Sequence, residues 1–166
     1  MQTHTLAADS LRTAYSAFPT GVVAVCGIDR TGAPAGMAIS SFVPISLDPP
    51  LVGISLQKSS RTWPGLRSIP VLGISVLSAH HADVARRLAA KEGDRFAGLA
   101  TSVTDRGAVL IDGAAATFEC RLVEEVEAGD HVIAMLGLEV VRSDSAAAPL
   151  LFHLSRFVEL GLPESV

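Results

Sequence analysis

Two clusters of side chains in this chain have the types and spacing to hold a ligand. The first is Met37-Ala38-Ile39-Ser40-Ser41, an apolar run that ends in two hydroxyls and so sets polar donors at the edge of a core. The second is Gln57-Lys58-Ser59-Ser60-Arg61-Thr62. Hydroxyls and backbone amides can meet ring oxygens and nitrogens, and the planar Arg61 guanidinium matches two phosphate oxygens, a better match than Lys58 gives. Together the clusters suit one flat, phosphorylated ligand. Each also has a plainer reading, Ser40-Ser41 as a polar strand end and Ser59 to Thr62 as caps for a short helix near Trp63 to Ser68. Pro64 stands where a first-turn proline is tolerated, and a helix start is an anion seat.

The chain offers no activated nucleophile, no paired carboxylates and no Gly-x-Gly-x-x-Gly loop, so an enzyme built on it takes its reactive atoms from a cofactor. Cys26 and Cys120 lie in apolar, strand-like surroundings without Cys-x-x-Cys spacing, which predicts buried reduced thiols. The five His residues are scattered, and adjacent His80 and His81 point to different sides of a helix, unlike an i, i+4 zinc pair. No metal site is expected. Gly129-Asp130-His131, by residue type alone, is a hairpin turn.

These residues must be positioned by a folded scaffold, and the composition predicts one. The 166 residues suit one domain with a real core, and an apolar fraction near half argues against disorder. A net charge of -4 without a Lys/Arg-rich block excludes nucleic-acid binding through phosphate neutralisation. No apolar run approaches the roughly 20 residues of a membrane helix, and residues 1–10 lack a basic start followed by an apolar stretch. The expectation is a soluble cytoplasmic protein.

Pattern reading then gives the order of elements. A helix over Leu11 to Phe18 is broken by Pro19-Thr20-Gly21, a strand runs from Val22 to Ile28, and Asp29 to Gly32 turns it into a second strand from about Ala35 to Val43. Asp48-Pro49-Pro50 marks entry to a strand over Leu51 to Leu56. Val71 to Leu77 is a further strand, Ser78 caps a helix over Ala79 to Ala90, and a Gly-rich, mobile connection runs to about Asp112-Gly113. Thr117 to Leu122 alternates as a half-exposed strand, Glu124 to Gly129 turns it, and His131 to Val141 returns apolar on both faces, so its second face needs cover. Leu150 to Leu160 supplies one or two short strands. Short strands with hairpin turns and one internal helix predict a closed or partly closed antiparallel barrel.

Phe18-Pro19-Thr20-Gly21-Val22, Gly36-Met37-Ala38-Ile39-Ser40-Ser41-Phe42, Ser46-Leu47-Asp48-Pro49-Pro50-Leu51-Val52 and Gly129-Asp130-His131 occur in one order. Asp94-Arg95-Phe96-Ala97-Gly98 and Pro149-Leu150-Leu151-Phe152-His153 take their places in it. In these motifs, from about Leu11 to Leu160, the chain resembles the flavin reductase-like family, the small reductase components of two-component flavin monooxygenases. The resemblance implies a mainly β fold with a few helices, a six-stranded antiparallel split barrel of Greek-key type, in one domain spanning 1–166. It implies hydride transfer from NADH or NADPH to FMN or FAD, with reduced flavin passed to a separate monooxygenase, and a homodimer. Such transfer needs two ring planes held roughly 3 to 3.5 Å apart more than it needs a strong base.

By the same resemblance Met37, Ala38, Ile39, Ser40 and Ser41 lie along the isoalloxazine ring. Gln57, Ser59, Ser60, Arg61 and Thr62 receive the phosphate, and Phe96 joins the flavin site. Thr20, Gly129, Asp130, His131, His153 and Phe157 serve the nicotinamide side, with His131 closest to the chemistry. The family often carries Thr where this chain has Ala38, which removes one hydroxyl from the ring's surroundings. The other readings are a flavin-binding storage or sensor module without nicotinamide turnover, and a split-barrel oxidoreductase using a deazaflavin or a pyridoxal-type phosphate.

Overall fold

The computed structural model describes residues 6–160. In chain order it contains α1 (Ala8–Ser16), β1 (Thr20–Gly21), β2 (Val23–Ile28), β3 (Pro34–Ile39), β4 (Val43–Leu47), β5 (Pro50–Gln57), α2 (Trp63–Leu66) and β6 (Leu72–Val76). A 3₁₀ turn at Ala79–His81 leads into α3 (Ala82–Ala89), followed by β7 (Thr101–Val103), β8 (Val109–Ile111), β9 (Ala116–Ala128), β10 (His131–Ser143), β11 (Leu150–His153) and β12 (Arg156–Glu159). The fold is mainly β, as expected.

Seven strands form one antiparallel sheet in the order β3-β2-β6-β9-β10-β5-β4. Laid flat, six steps of about 4.8 Å would put its edges about 29 Å apart. Yet β3 and β4, the two edges, are joined by only Ser40-Ser41-Phe42, a link that spans at most about 14 Å. The sheet therefore curls until its edges nearly meet, without a hydrogen-bonded ladder between them. That is a split barrel, and Ser40-Ser41 sits at the split. Its main sheet has seven strands where six are expected, because β4 is a strand in its own right. Its Pro44 and exposed Val43, Ile45 and Leu47 disguise it, and both features are tolerated on an edge.

The barrel interior is filled by Val25, Ile39, Ile54, Leu72, Ile74, Leu136 and their neighbours. A second apolar cluster, including Ala24, Leu77, Leu88, Val109 and Ile111, lies between the sheet and α3. Burial pushes the Cys26 and Cys120 thiols up to about 12, in keeping with two inert, reduced cysteines. The Asp29 to Gly32 hairpin forms as expected, with Asp29 accepting from the Thr31 amide at 2.8 Å and Gly32 at φ 84°.

Two expected segments need correction. The Gly-rich connection before Gly113 is not an open loop. It contains the β7–β8 hairpin, and β8 lies so close on β6 that a Cβ at Gly73 would run into the Val109 carbonyl oxygen. β9 does not turn at Glu124 but continues to Ala128, leaving Gly129-Asp130 as the tight turn, with Gly129 at φ 65°. The acidic run Glu124 to Glu127 looks loop-like in the sequence. In the fold Glu125 and Glu127 each meet a basic partner, Arg67 and Lys58.

Candidate functional site

A cleft of about 640 Å³ opens at the split. One wall is the edge strand β3 with its connector, contributing Met37, Ala38, Ile39, Ser40 and Ser41. As a sheet edge, β3 has every second amide and carbonyl without a ladder partner on its outer side, so the wall offers backbone donors and acceptors as well as side chains. The opposite side is the end of β5 and the loop behind it, with Gln57, Ser59, Ser60, Arg61 and Thr62. Both clusters singled out in the sequence thus face one space.

Their local roles differ. Ser41 Oγ donates to the Ser55 carbonyl at 2.8 Å and accepts from the Ser55 amide at 3.0 Å, clasping the connector to β5 across the split. Its one proton is engaged, so toward a ligand Ser41 can act only through its backbone or a remaining lone pair. Ser40 is exposed, with its hydroxyl unengaged by the described residues. Ser60 Oγ accepts from the Trp63 amide at 3.2 Å, as a cap should. However, α2 is a single turn of four residues, so its dipole adds little to anion binding.

Trp63 buries its ring and donates from Nε1 to Glu125 Oε1 at 2.6 Å, while Glu125 pairs with Arg67 at 3.0 Å. Lys58 pairs with Glu127. The loop carrying Ser59 to Thr62 is therefore fastened to β9 at two points. Lys58 does not line the cleft.

His131 enters the same cleft, because β10 pairs with β5 in a register that sets His131 opposite Gln57. Its Nδ1 lies 2.7 Å from Asp130 Oδ1, and this hydrogen bond is the largest cause holding the Asp130 carboxyl below its usual range. With Nδ1–H given to Asp130, Nε2 of the neutral ring is an acceptor and donates only as imidazolium. Gly129 and Asp130 form the exposed turn beside it.

Four expected site residues stand elsewhere. The Phe96 ring belongs to the second apolar cluster, behind β3 at Gly36. Thr20 pairs with Phe152 in a separate small sheet, β1-β11-β12. Phe157 packs on Phe152 beneath Arg86, and His153 lies beside Arg156 on that same sheet. Within one chain these residues do not reach the cleft.

Two basic residues that reach it were given no site role from the sequence, although Arg95 stands in a motif of the family resemblance. Lys91 and Arg95, just beyond α3, line the cleft together with Arg61, and among the described residues no carboxylate lines it. Three cations thus gather on a chain whose net charge is -4. Their positions 30 residues or more beyond Arg61 hid this from a reading of local motifs. A cleft with an apolar, backbone-rich wall on one side and cations and hydroxyls on the other is chemically fitted to a flat anionic ligand, and the phosphorylated flavins are of that kind.

The sequence profile of the flavin reductase like domain matches residues 15–161. The chain belongs to the flavin reductase-like family. Among curated relatives, this flavin reductase-like protein is 37% identical over 142 residues to a flavin reductase of Pseudomonas putida, covering 86% of this chain and 84% of that one. It is 38% identical over 157 residues to the actinorhodin polyketide dimerase of Streptomyces coelicolor, covering 93% and 89%. Among solved structures it is similar to the NADH:FAD oxidoreductase SgcE6 of Streptomyces globisporus C-1027 in complex with NAD and FAD fragments. That match has a TM-score of 0.89 at 32% identity and covers 95% of this chain and 94% of that one. Membership makes this flavin reductase-like protein an oxidoreductase by class.

Proposed function

We propose that the chain is an NAD(P)H-dependent flavin reductase, a single domain acting in the cytoplasm, which binds FMN or FAD in the cleft and passes reduced flavin to a separate monooxygenase. The observation that carries this is the convergence on one cleft of the β3 edge, the Ser59 to Thr62 loop, three cations and His131. In this reading the β3 wall orients the ring through backbone groups and the opposite loop takes the phosphate. The flavin supplies the hydride acceptor and the nicotinamide the hydride. The chain's own task is to align the two planes, exclude water from between them, and hold a proton-bearing ring at His131 where charge collects on reduction.

Titration of the purified protein with FMN and with FAD, followed by flavin fluorescence, tests the binding half of this reading. Saturable quenching by one or both is expected, and unchanged emission with both would overturn it. A storage or sensor module without nicotinamide turnover is the second reading. It is favoured by the places of Thr20, His153 and Phe157 outside the cleft. Flavin binding without flavin-dependent NADH or NADPH oxidation would select it.

The protein is further proposed to work as a homodimer. Val43 on β4, Gly53 on β5, Met135 and Ile133 on β10 and Val126 on β9 are joined by cross-strand register into an apolar outer face, with Ile45 at the β4 irregularity packed against Gly53; Val43, Ile45, Ile133 and Val126 are exposed on it. Helix α1 buries none of its residues on this chain. Light scattering that gives twice the chain mass supports this assignment, and a monomer at micromolar concentration contradicts it.

A further inference from the structure

At the start of α3 a serine hydroxyl and two imidazoles, none of which lines the cleft, are drawn into one knot. Ser78 and His81 are buried, and the exposed His80 ring lies 4.1 Å from that of His81 between centroids. With both rings neutral, the contacts admit one arrangement of protons. The Ser78 amide donates to His81 Nδ1 at 3.2 Å, and the Ser78 hydroxyl donates to the Gly113 carbonyl at 2.6 Å. His81 Nδ1 therefore carries a lone pair, and the ring's proton sits on Nε2, where the Asp112 backbone accepts it. His80 Nδ1, 3.3 Å from Ser78 Oγ, supplies that oxygen with a donor.

A further proton on His81 breaks this arrangement. It would occupy Nδ1 and face both the Ser78 N–H and Ser78 Oγ, the latter at 3.0 Å. Oγ can accept it, but the buried Ser78 amide then loses its only acceptor in the knot. The carboxylates of the surrounding elements are committed elsewhere. Asp112 after β8 is engaged by Ser102, Asp83 of α3 pairs with Arg86, and Asp144 in the loop before β11 accepts from the Ala146 amide. His80 can add only like charge, and β11 starts here with Leu150 while its His153 stands at the other end.

The knot ties four segments together. Ser78 follows β6, Gly113 follows β8, the Ala79 amide donates to the Ala148 carbonyl at 2.8 Å before β11, and His81 leads into α3. α3 has eight residues and is about 12 Å long, and it packs on β3. Its far end brings Ala89, Ala90 and Lys91 to the cleft.

We propose that this knot is a pH-sensitive latch on α3: a proton taken up at His81 frees the start of the helix, its far end withdraws from the cleft, and flavin is held more weakly. The inference rests on the flavin-binding reading above and adds to it a control lying outside the cleft. Burial first, then His80, holds the His81 pKa below its usual value, so the latch is closed at neutral pH. It opens as pH falls below about 6.5 toward the folded value. The flavin-bound form thus binds fewer protons than the free form, and by reciprocity flavin must lower the His81 pKa further.

The test compares FMN titrations of wild type and His81→Gln at about pH 7.5 and about pH 5, followed by flavin fluorescence. Gln keeps an acceptor for the Ser78 amide, as in a capping box, and takes up no proton. The FMN phosphate, with a second pKa of about 6, and His131 titrate in both proteins, so the comparison cancels them. Between the two pH values Kd should rise about fivefold more in wild type than in His81→Gln. An equal rise in both overturns the proposal.

If His81→Gln does not fold, NMR titration of the His81 ring in wild type, free and saturated with FMN, decides the matter. Its midpoint should fall by about one pH unit on FMN binding, and an unmoved midpoint overturns the proposal. If wild type binds FMN at neither pH, the flavin-binding reading fails first. FMN binding whose pH dependence is the same with and without His81 defeats this inference alone.

Discussion

The Lys58 amide donates to the Asp130 carbonyl oxygen at 3.0 Å, which fastens the hairpin turn before His131 directly to the loop that carries Ser59 to Thr62. Two motifs more than 70 positions apart in the chain are thereby neighbours across the β5–β10 ladder. The Asp130 carboxylate completes the join through His131 Nδ1. Removing that carboxylate with Asp130→Ala should raise KM for the nicotinamide by no more than about fivefold, because the pair is exposed, and should leave flavin affinity unchanged. His131→Ala should cost more, about tenfold in KM, through loss of the ring itself. Steady-state kinetics beside flavin titrations check both, and a change confined to flavin affinity would show the turn serving the flavin.

Ser41 is a clasp across the split. Ser41→Ala leaves the Ser55 amide and carbonyl without their partner and should lower stability by about 1 to 3 kcal/mol in urea unfolding. Ser40→Ala, at an exposed hydroxyl one residue earlier, should lie within about 0.5 kcal/mol of wild type. Equal effects would mean that the clasp is not what holds the edges together.

Trp63 is the sole tryptophan and follows Thr62 directly, so its emission reports on the loop that carries Ser59 to Thr62. Flavin binding should quench it. Glu125→Ala removes the acceptor of Trp63 Nε1 and the partner of Arg67, and should red-shift the emission and reduce stability by about 1 to 3 kcal/mol. Glu125→Gln, which keeps an acceptor for the indole, should restore most of the spectrum. An unshifted spectrum in Glu125→Ala would contradict the assigned contact.

His81 gives stability a pH dependence. It is buried, its Nδ1 accepts from the Ser78 amide at 3.2 Å, and Ser78 Oγ donates to the Gly113 carbonyl at 2.6 Å. Burial first, then neighbouring His80, lowers the His81 pKa against a smaller opposing effect of the Asp112 backbone. A histidine depressed in the folded state binds fewer protons folded than unfolded. Its contribution is therefore present above about 6.5, the unfolded value, and is lost as pH falls toward the folded pKa. Tm should drop between about pH 7 and pH 5, and His81→Asn should flatten that slope. An unchanged slope in the variant would assign the dependence to other groups.

Much of the site was legible because its two clusters are contiguous in sequence and fall at strand ends, where patterning is informative. Met37 to Ser41, Gln57 and Ser59 to Thr62 all line the one cleft. That Lys91 and Arg95 reach the cleft was not legible, although Arg95 stands in a motif of the family resemblance, because only the packing of α3 beside β3 brings the segment after that helix to the cleft. Phe96 was misplaced for a related reason. An aromatic next to a site residue has the same composition whether it faces the ligand or, as here, the core behind the strand. The long β9 was cut short in the sequence reading because its run of Glu mimics a loop until Trp63, Arg67 and Lys58 are seen opposite it. β4 escaped because an edge strand tolerates proline and exposed apolar side chains that would disqualify a central one.

The most direct test of the whole account is the initial rate of NADH and NADPH oxidation by the purified protein, read from nicotinamide absorbance with and without added FMN or FAD. The account predicts oxidation that depends on flavin and saturates in it, with at least one of the two nicotinamides. Oxidation no faster than the uncatalysed background with every flavin and nicotinamide pair, by protein shown to be folded, would contradict it.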